Sequence, residues 1–191
     1  ELVAAAGGLD RLVGVDAASD HPAAVRALPR VADHRHYDLE RIAALAPDLV
    51  VAWPDGTSPR AVAALHRLGV PVHEVHVRRL DEIADALEAL GARLGTRDQA
   101  ALAARAVRER LASIRARFAG RPPLRVFYQV WDRPVMTIGD THPIADALAA
   151  CGARKLPAGL ASMAPVVGVE SVLQVAPEVI VTAVAGGVAR T

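Results

Sequence analysis

The sequence predicts an α/β fold of two Rossmann-like lobes with mostly parallel sheets, joined by a single long helix and leaving a ligand cleft between the lobes. Three observations predict it. Residues 38–53, DLERIAALAPDLVVAW, return in altered spelling as residues 168–183, GVESVLQVAPEVIVTA, with Glu40 answering Glu170 and Pro47 answering Pro177 at a constant offset of 130. Helical and strand patterns alternate along the chain, as parallel sheets with crossover helices require. One helical run, opening at Thr96, reaches about 35 Å at roughly 1.5 Å per residue, enough to link two bodies. A repeat this widely spaced is not that of a solenoid, whose units recur roughly every 20–50 residues.

In each copy of the repeat, apolar residues fall at helical spacing: Leu39, Ile42, Ala43 and Ala46, then Val169, Val172, Leu173 and Ala176. Proline and an acid break that spacing before a β-branched run. Each copy therefore reads as helix, stop, buried strand. Ahead of the first copy lie a helix over LVAAA that meets Gly7 and Gly8, a strand at Leu12 to Val15, and a loop from Asp16 to Pro22. Ser58 as N-cap with Pro59 at the first helical position opens a helix that ends at Gly69, before a strand at Val70 to Val77. A helix from about Leu80 to Leu94 closes on Gly95. Thr96 and Gln99 form a capping box for the long helix, whose apolar stripe is Val107, Leu111, Ile114 and Phe118 and which ends near Gly120. Arg121, Pro122 and Pro123 mark the entry to the second half. There Leu124 to Val130 is a strand, Val135 to Thr137 a shorter one, Pro143 to Ala150 a helix closed by Gly152, and residues 156–167 a long loop. The domains are thus an N-terminal lobe over 1–95, a backbone helix over 96–120 and a C-terminal lobe over 121–191. The chain opens inside a helix and stops just after a strand, so it is read as cropped at both ends.

Composition narrows the class. A chain of 191 residues that is 52% hydrophobic can bury a sizeable core. A net charge of +1 gives no reason to expect nucleic acid or an anionic membrane surface. Lys155 is the only lysine, and the single cysteine, Cys151, excludes an internal disulfide and any cysteine-based metal cluster. Cys151 lies in an apolar helical pattern and is expected in the core. No apolar run is long enough to span a membrane.

In open α/β sheets ligands bind beyond the carboxyl ends of the strands, where the loops gather. That rule selects Asp16 to His21, His34 to Tyr37, Trp53 to Gly56, the segment Val130 to Arg133 with Trp131 and Asp132, and the loop before Val169. Aromatics make up only 3% of the chain, yet both tryptophans directly follow strands at those ends. A tryptophan in a loop packs on its own lobe or on a flat or apolar ligand, and the second alternative makes Trp53 and Trp131 candidate ligand residues. His34, His36 and Tyr37 cluster in one loop, read either as hydrogen-bonding or solvated groups or as metal or cofactor ligands; carboxylates at ligand spacing are lacking. His73 and His76 fall on opposite faces of their strand. Phosphate-binding, nucleophile-elbow and zinc-protease motifs are absent. Glu40 and Glu170 sit in the first turns of their helices, where the dipole favours a carboxylate. As a matched pair, one per lobe, they also suit a symmetric partner.

In order along the chain, LVGVDAASDHP, DLERIAALAPDLVVAW, RLGVPVHEV, RVFYQVWDRPVMTIG and VGVESVLQVAPEVIV resemble the periplasmic cobalamin-binding proteins of ABC importers, within the wider helical-backbone metal receptor group. The likeness covers nearly the whole chain. It implies a bilobed receptor that closes little, holds a corrinoid as transported ligand rather than as cofactor, and delivers it to a membrane permease dimer. It further implies a periplasmic or cell-surface lipoprotein that meets the membrane only through the permease or a lipid anchor, with no catalysis and no resident metal. One acid per lobe would dock on the permease, at Glu40 and Glu170. Trp53 matches one of the family's cleft aromatics, whereas the positions of others hold Ala18, His34 and Ala164. Trp131 with Asp132, and His34 with Tyr37, complete the expected ligand set. Relatives on the same scaffold carry haem or ferric siderophores, which is the alternative ligand class, and an enzyme acting on a tetrapyrrole is the third reading. The resemblance also implies that the family's opening strand and its closing strand and helix lie outside this chain.

Overall fold

The computed structural model describes residues 1–33, 36–54 and 56–183. The chain divides into two compact units, one made of Glu1–Val77 with Ile83–Ala106, the other of Arg78–Glu82 with the chain from Val107 onward. All pairings between strands of the two larger sheet systems are parallel. Among the described residues no helix is long and apolar enough to cross a membrane.

Unit 1 opens with a wide helical turn, Ala4–Gly8, in which Gly7 takes φ +87°, a value that favours glycine. Strands β1 (Val15–Asp16) and β2 (Arg30–Ala32) pair in parallel, as do β3 (Val50–Ala52) and β4 (Val72–Glu74). Helix α1 (Leu39–Ala44) lies between β2 and β3, and α2 (Pro59–Arg67) between β3 and β4. Ser58 caps α2 by accepting from the Ala61 amide at 3.1 Å, with Pro59 at the first helical position. Helix α3 (Asp81–Leu94), from Ile83 on, and the first half of α4 (Arg97–Phe118) complete the unit. Its core is aliphatic: Leu65, Leu87 and Leu90 are at most 1% exposed, with Ala84, Ala100 and Ala104 filling the narrow gaps. The Thr96 hydroxyl donates to the Ala6 carbonyl at 2.6 Å, which ties the start of α4 to the first helical turn.

Strand β1 covers Val15–Asp16, so of the expected strand at Leu12 to Val15 only the last residue pairs, and a 3₁₀ turn over Leu9–Arg11 precedes it. Strand β4 is shorter than its apolar run, since pairing stops where its partner β3 stops. His76 therefore falls beyond the strand, with Nε2 3.7 Å from a Glu74 carboxylate oxygen. Burial, with the charge of Arg93, lowers the imidazole pKa of His73, within the strand.

Unit 2 is built on a three-stranded parallel sheet in which β5 (Leu124–Gln129) lies between β8 (Ala153–Leu156) and β9 (Val179–Thr182). Val126 and Phe127 of the central strand are 2% exposed. A short antiparallel hairpin joins β6 (Trp131–Asp132) to β7 (Val135–Met136), and the helices are α5 (Pro143–Ala150) and α6 (Val169–Val175). The expected core position of Cys151 is corrected: α5 ends at Ala150, so the cysteine falls on the turn into Gly152 and is exposed. The second copy of the repeat was expected to end in a buried strand, but Val179, Ile180 and Val181 of β9 are 38%, 58% and 37% exposed, since β9 is an edge strand among the described residues.

The repeat is visible in the backbone. Ala46 and Ala176, 130 residues apart, take φ +44° and +42° just before Pro47 and Pro177. A left-handed alanine costs about 1–2 kcal/mol, and both copies accept it to end the helix and turn the chain into the following strand.

Lys155, on β8, is buried beside the sheet. Its ammonium donates to the Ile138 carbonyl at 3.1 Å and pairs with Asp140, at 2.5 Å from Oδ1. That hydrogen bond and the lysine's charge, with amide donors at Gly159 and Leu160, hold the Asp140 carboxyl below its ordinary 3.8. A depressed carboxylate pKa contributes stability that is fully present above the unfolded value and lost as pH falls through the folded one. Thermal melts of wild type and Lys155→Met are therefore expected to differ most above the free aspartate value of about 3.9 and to converge as pH falls below it, through the lowered folded value. A difference that does not change with pH would show that the ion pair is not the source.

Candidate functional site

Trp53 directly follows β3 and is 47% exposed. The turn after it folds back: the Gly56 amide donates to the Trp53 carbonyl at 3.0 Å, and Gly56 lies against the indole. Tyr37 reaches the same turn. It is held by an antiparallel bridge to Ala32 at the end of β2, and its hydroxyl donates to the Gly56 carbonyl at 3.1 Å. The structure thus brings Trp53 and Tyr37 together around a glycine that sequence reasoning placed in the loop without giving it a role. His34 lies outside the described residues. His36, exposed, has its amide bonded to an Asp33 carboxylate oxygen at 2.8 Å.

Trp131 and Asp132 are in unit 2 and form strand β6, paired with Met136 and Val135, rather than an open loop. The indole of Trp131 is 54% exposed, and its Nε1 donates to the Arg133 carbonyl at 3.2 Å, which orients the ring along the hairpin. Asp132 is exposed.

Glu40 and Glu170 occupy the same place in their helices, the second residue of α1 and of α6, and both are exposed. No hydrogen bond or ion pair engages either carboxylate among the described residues, so neither serves an internal partner. Their surroundings differ. Asp38 caps α1 by accepting from the Arg41 amide at 2.9 Å, and Arg41 in turn donates to the Arg30 carbonyl at 3.1 Å. At α6 the cap position is Gly168, without a side-chain cap.

A pocket of about 470 Å³ within unit 2 is lined by Arg78, Arg79, Glu82, Asp140, Asp146 and Lys155, among others, and includes none of the residues expected from sequence. Its three carboxylates, with Lys155 and Arg79, have partners within the unit, Glu82 through backbone amides rather than a cation. Glu82 accepts from the amides of Arg78 and Arg79 at 2.6 and 3.1 Å, Asp146 from the Leu80 amide at 2.8 Å, and Asp140 holds Lys155. Asp146 also lies 3.7 Å from Arg79 and 3.9 Å from Arg115, and Arg115 forms a two-toothed bridge with Asp81 at 2.8 Å for each contact. This network holds the Arg78–Glu82 segment in unit 2 although the residues on both sides of it belong to unit 1. Nothing in the sequence signalled it, because its members are spread over 68 positions from Arg78 to Asp146. Carboxylates and cations that already have partners present little to a ligand, whereas the half-exposed indole of Trp53 presents a flat apolar surface. The second observation decides for Trp53 as the centre of the candidate site.

On the surface of unit 1, Glu1, Asp20 and His21 each bring one metal-ligating atom within 4.8 Å of the others. All three are exposed, and His21 is already hydrogen-bonded to Asp20 at 2.7 Å, which raises the imidazole's pKa and lowers the carboxyl's.

The comparisons with known proteins agree with the fold. The sequence profile of the periplasmic binding protein family matches residues 1–187. A vitamin B12-binding protein of Vibrio cholerae is 37% identical over 182 residues, 95% of this chain and 66% of that protein. The crystal structure of the periplasmic vitamin B12 binding protein of Vibrio cholerae superposes with a TM-score of 0.90 at 37% identity, covering 98% of this chain and 74% of that one. A periplasmic heme binding protein from Pseudomonas aeruginosa superposes with a TM-score of 0.83 at 28% identity, covering 95% and 67%. The chain spans about two thirds of the length of the curated relatives it matches, 66% of the first of them.

Proposed function

The chain belongs to the periplasmic binding protein family, and from that premise we propose that it is the solute receptor of an ABC importer, capturing a corrinoid and handing it to a membrane permease dimer. The observation that carries the ligand assignment is Trp53, a half-exposed indole at the carboxyl end of β3 on a chain with only two tryptophans. Identity to a vitamin B12-binding protein over 95% of the chain supports the same reading. Trp131 and Asp132 of the hairpin, Tyr37 beside Trp53, and His34 complete the proposed ligand residues. Glu40 and Glu170, exposed and unpaired among the described residues, are the proposed docking charges. The role is one of binding and release, performed in the periplasm or at the cell surface, and uses no resident cofactor.

Haem is the second reading, favoured by the superposition on a heme binding protein at 28% identity. One titration separates the two. With tryptophan emission and calorimetric heat as readouts, cyanocobalamin is expected to bind with one ligand per chain and to quench the indoles, and haemin and a ferric siderophore to bind more weakly. Trp53→Ala is expected to weaken cyanocobalamin by at least about 1 kcal/mol, the scale of an aromatic stacking contact. Unchanged emission and heat at high micromolar cyanocobalamin would rule out the corrinoid, and tighter binding of haemin would favour the second reading.

A further inference from the structure

We propose that Gly56 and Tyr37 are positioning residues for Trp53, which hold its indole at the turn along the Cε3–Cζ3 edge and so present it to the ligand in one orientation. The identity of that ligand rests on the corrinoid reading; the positioning itself does not.

The argument starts at Gly56. A Cβ built there would lie 2.8 Å from Cε3 and 3.2 Å from Cζ3 of Trp53, the first closer than real Cβ atoms come. Glycine is required here for closeness to the ring. Without a side chain, Gly56 can lie close to the Cε3–Cζ3 edge of the ring. The turn is then locked at two points. The Gly56 amide donates back to the Trp53 carbonyl at 3.0 Å, and the Gly56 carbonyl accepts from the Tyr37 hydroxyl at 3.1 Å. Tyr37 is itself anchored by its bridge to Ala32, so a chain of contacts runs from β2 through Tyr37 and Gly56 to the indole.

An exposed tryptophan without such support samples several rotamers, and a ligand must select one at an entropic cost. A ring already held along one edge avoids part of that cost. Immobilising a side chain on binding typically weakens affinity by about two- to tenfold, so pre-fixing it recovers a factor of that order. Tyr37 then acts through Trp53, its hydroxyl proton committed to the turn, and its removal should loosen the ring without removing a stacking surface.

The test isolates Trp53 as the sole tryptophan in a Trp131→Phe background and compares Tyr37→Phe and Gly56→Ala with that parent. Before ligand is added, acrylamide quenching of Trp53 is expected to rise and its emission anisotropy to fall in both variants, more in Gly56→Ala, where the new methyl displaces the ring. Cyanocobalamin affinity is expected to fall about two- to tenfold in each, as lost pre-organisation predicts. A loss of fold would appear as changed far-ultraviolet dichroism; if Gly56→Ala fails in that way, Tyr37→Phe alone decides. Quenching and anisotropy identical to the parent in the folded variants would overturn the proposal. Failure of cyanocobalamin to bind even the parent would instead refute the ligand reading, while the ligand-free fluorescence still decides the positioning.

Discussion

Replacing Gly139 by alanine is expected to destabilise the protein by about 3 kcal/mol, the upper part of the range for forcing extra volume into a packed site. On backbone entropy alone the change should help by about 0.4–1 kcal/mol, because alanine restricts the unfolded chain. Packing overrides that gain. A Cβ at Gly139 would stand 1.9 Å from the carbonyl oxygen of Ser162, which is backbone and cannot rotate away. The segment carrying Ser162 is fastened on both sides: the Gly139 amide donates to Met163, Asp140 to Leu160 and Thr137 to Pro165, at 2.9, 2.9 and 3.1 Å, and the Val167 amide donates to Val135 at 2.9 Å. Moving the carbonyl means breaking part of this ladder and straining the Lys155–Asp140 pair beside it. Gly159→Ala is the control: its φ of +82° is strained for alanine, but no atom lies within 4 Å of the new methyl, so about 1 kcal/mol is expected. Urea midpoints of the two variants measure the difference. A Gly139→Ala protein as stable as wild type would show that this loop is not held as tightly as the hydrogen bonds indicate.

The same loop shows what the sequence could and could not reveal. Residues 156–167 carry no periodicity and read as a plain connection, yet their backbone runs beside β7 and bridges it at Val166. Strand β8 was missed outright. Its residues ARKL contain two cations, a composition that argues against a buried strand until the Asp140 carboxylate, 15 positions earlier, neutralises Lys155. Strand β2, written RVA, was missed for a similar reason, being too short for alternation to register. Helices fared better because capping and apolar spacing are local. The Ser58–Pro59 opening of α2 and the Pro143–Ala150 span of α5 needed no partner to be read. The candidate site divides along the same line. Trp53 stood out as a rare residue after a strand. The contact that orients it lies between a glycine and a ring, with Tyr37 joined from another strand, and such closeness exists only once β2 and β3 have been placed by folding.

Reversing both Glu40 and Glu170 to arginine is expected to abolish capture by the permease while leaving cyanocobalamin affinity intact. Both carboxylates project from first helical turns, exposed and without an internal partner, so the folded protein loses only their interaction with the helix ends. That loss is about 0.3–1 kcal/mol per site, too little to unfold a domain of this size. Docking would lose far more, since each reversal replaces an attraction with a repulsion at a charged rim, and rim charges govern encounter and salt dependence. Two contacts related by the internal repeat should act in parallel, so either single reversal is expected to be partly defective. The two singles should not be equal. Helix α1 is fixed by the Asp38 cap and by the Arg41 contact to β2, whereas α6 begins at an uncapped Gly168, close to which the Glu170 carboxylate lies. Glu40 therefore projects from the stiffer support, and Glu40→Arg is expected to be the more damaging. Binding of each variant to permease in lipid nanodiscs, measured across ionic strengths from roughly 50 to 500 mM, tests the scheme, because screening should weaken wild-type capture over that range. A double variant that folds, binds cyanocobalamin and is still captured normally would leave both glutamates with no role beyond stabilising their helix ends.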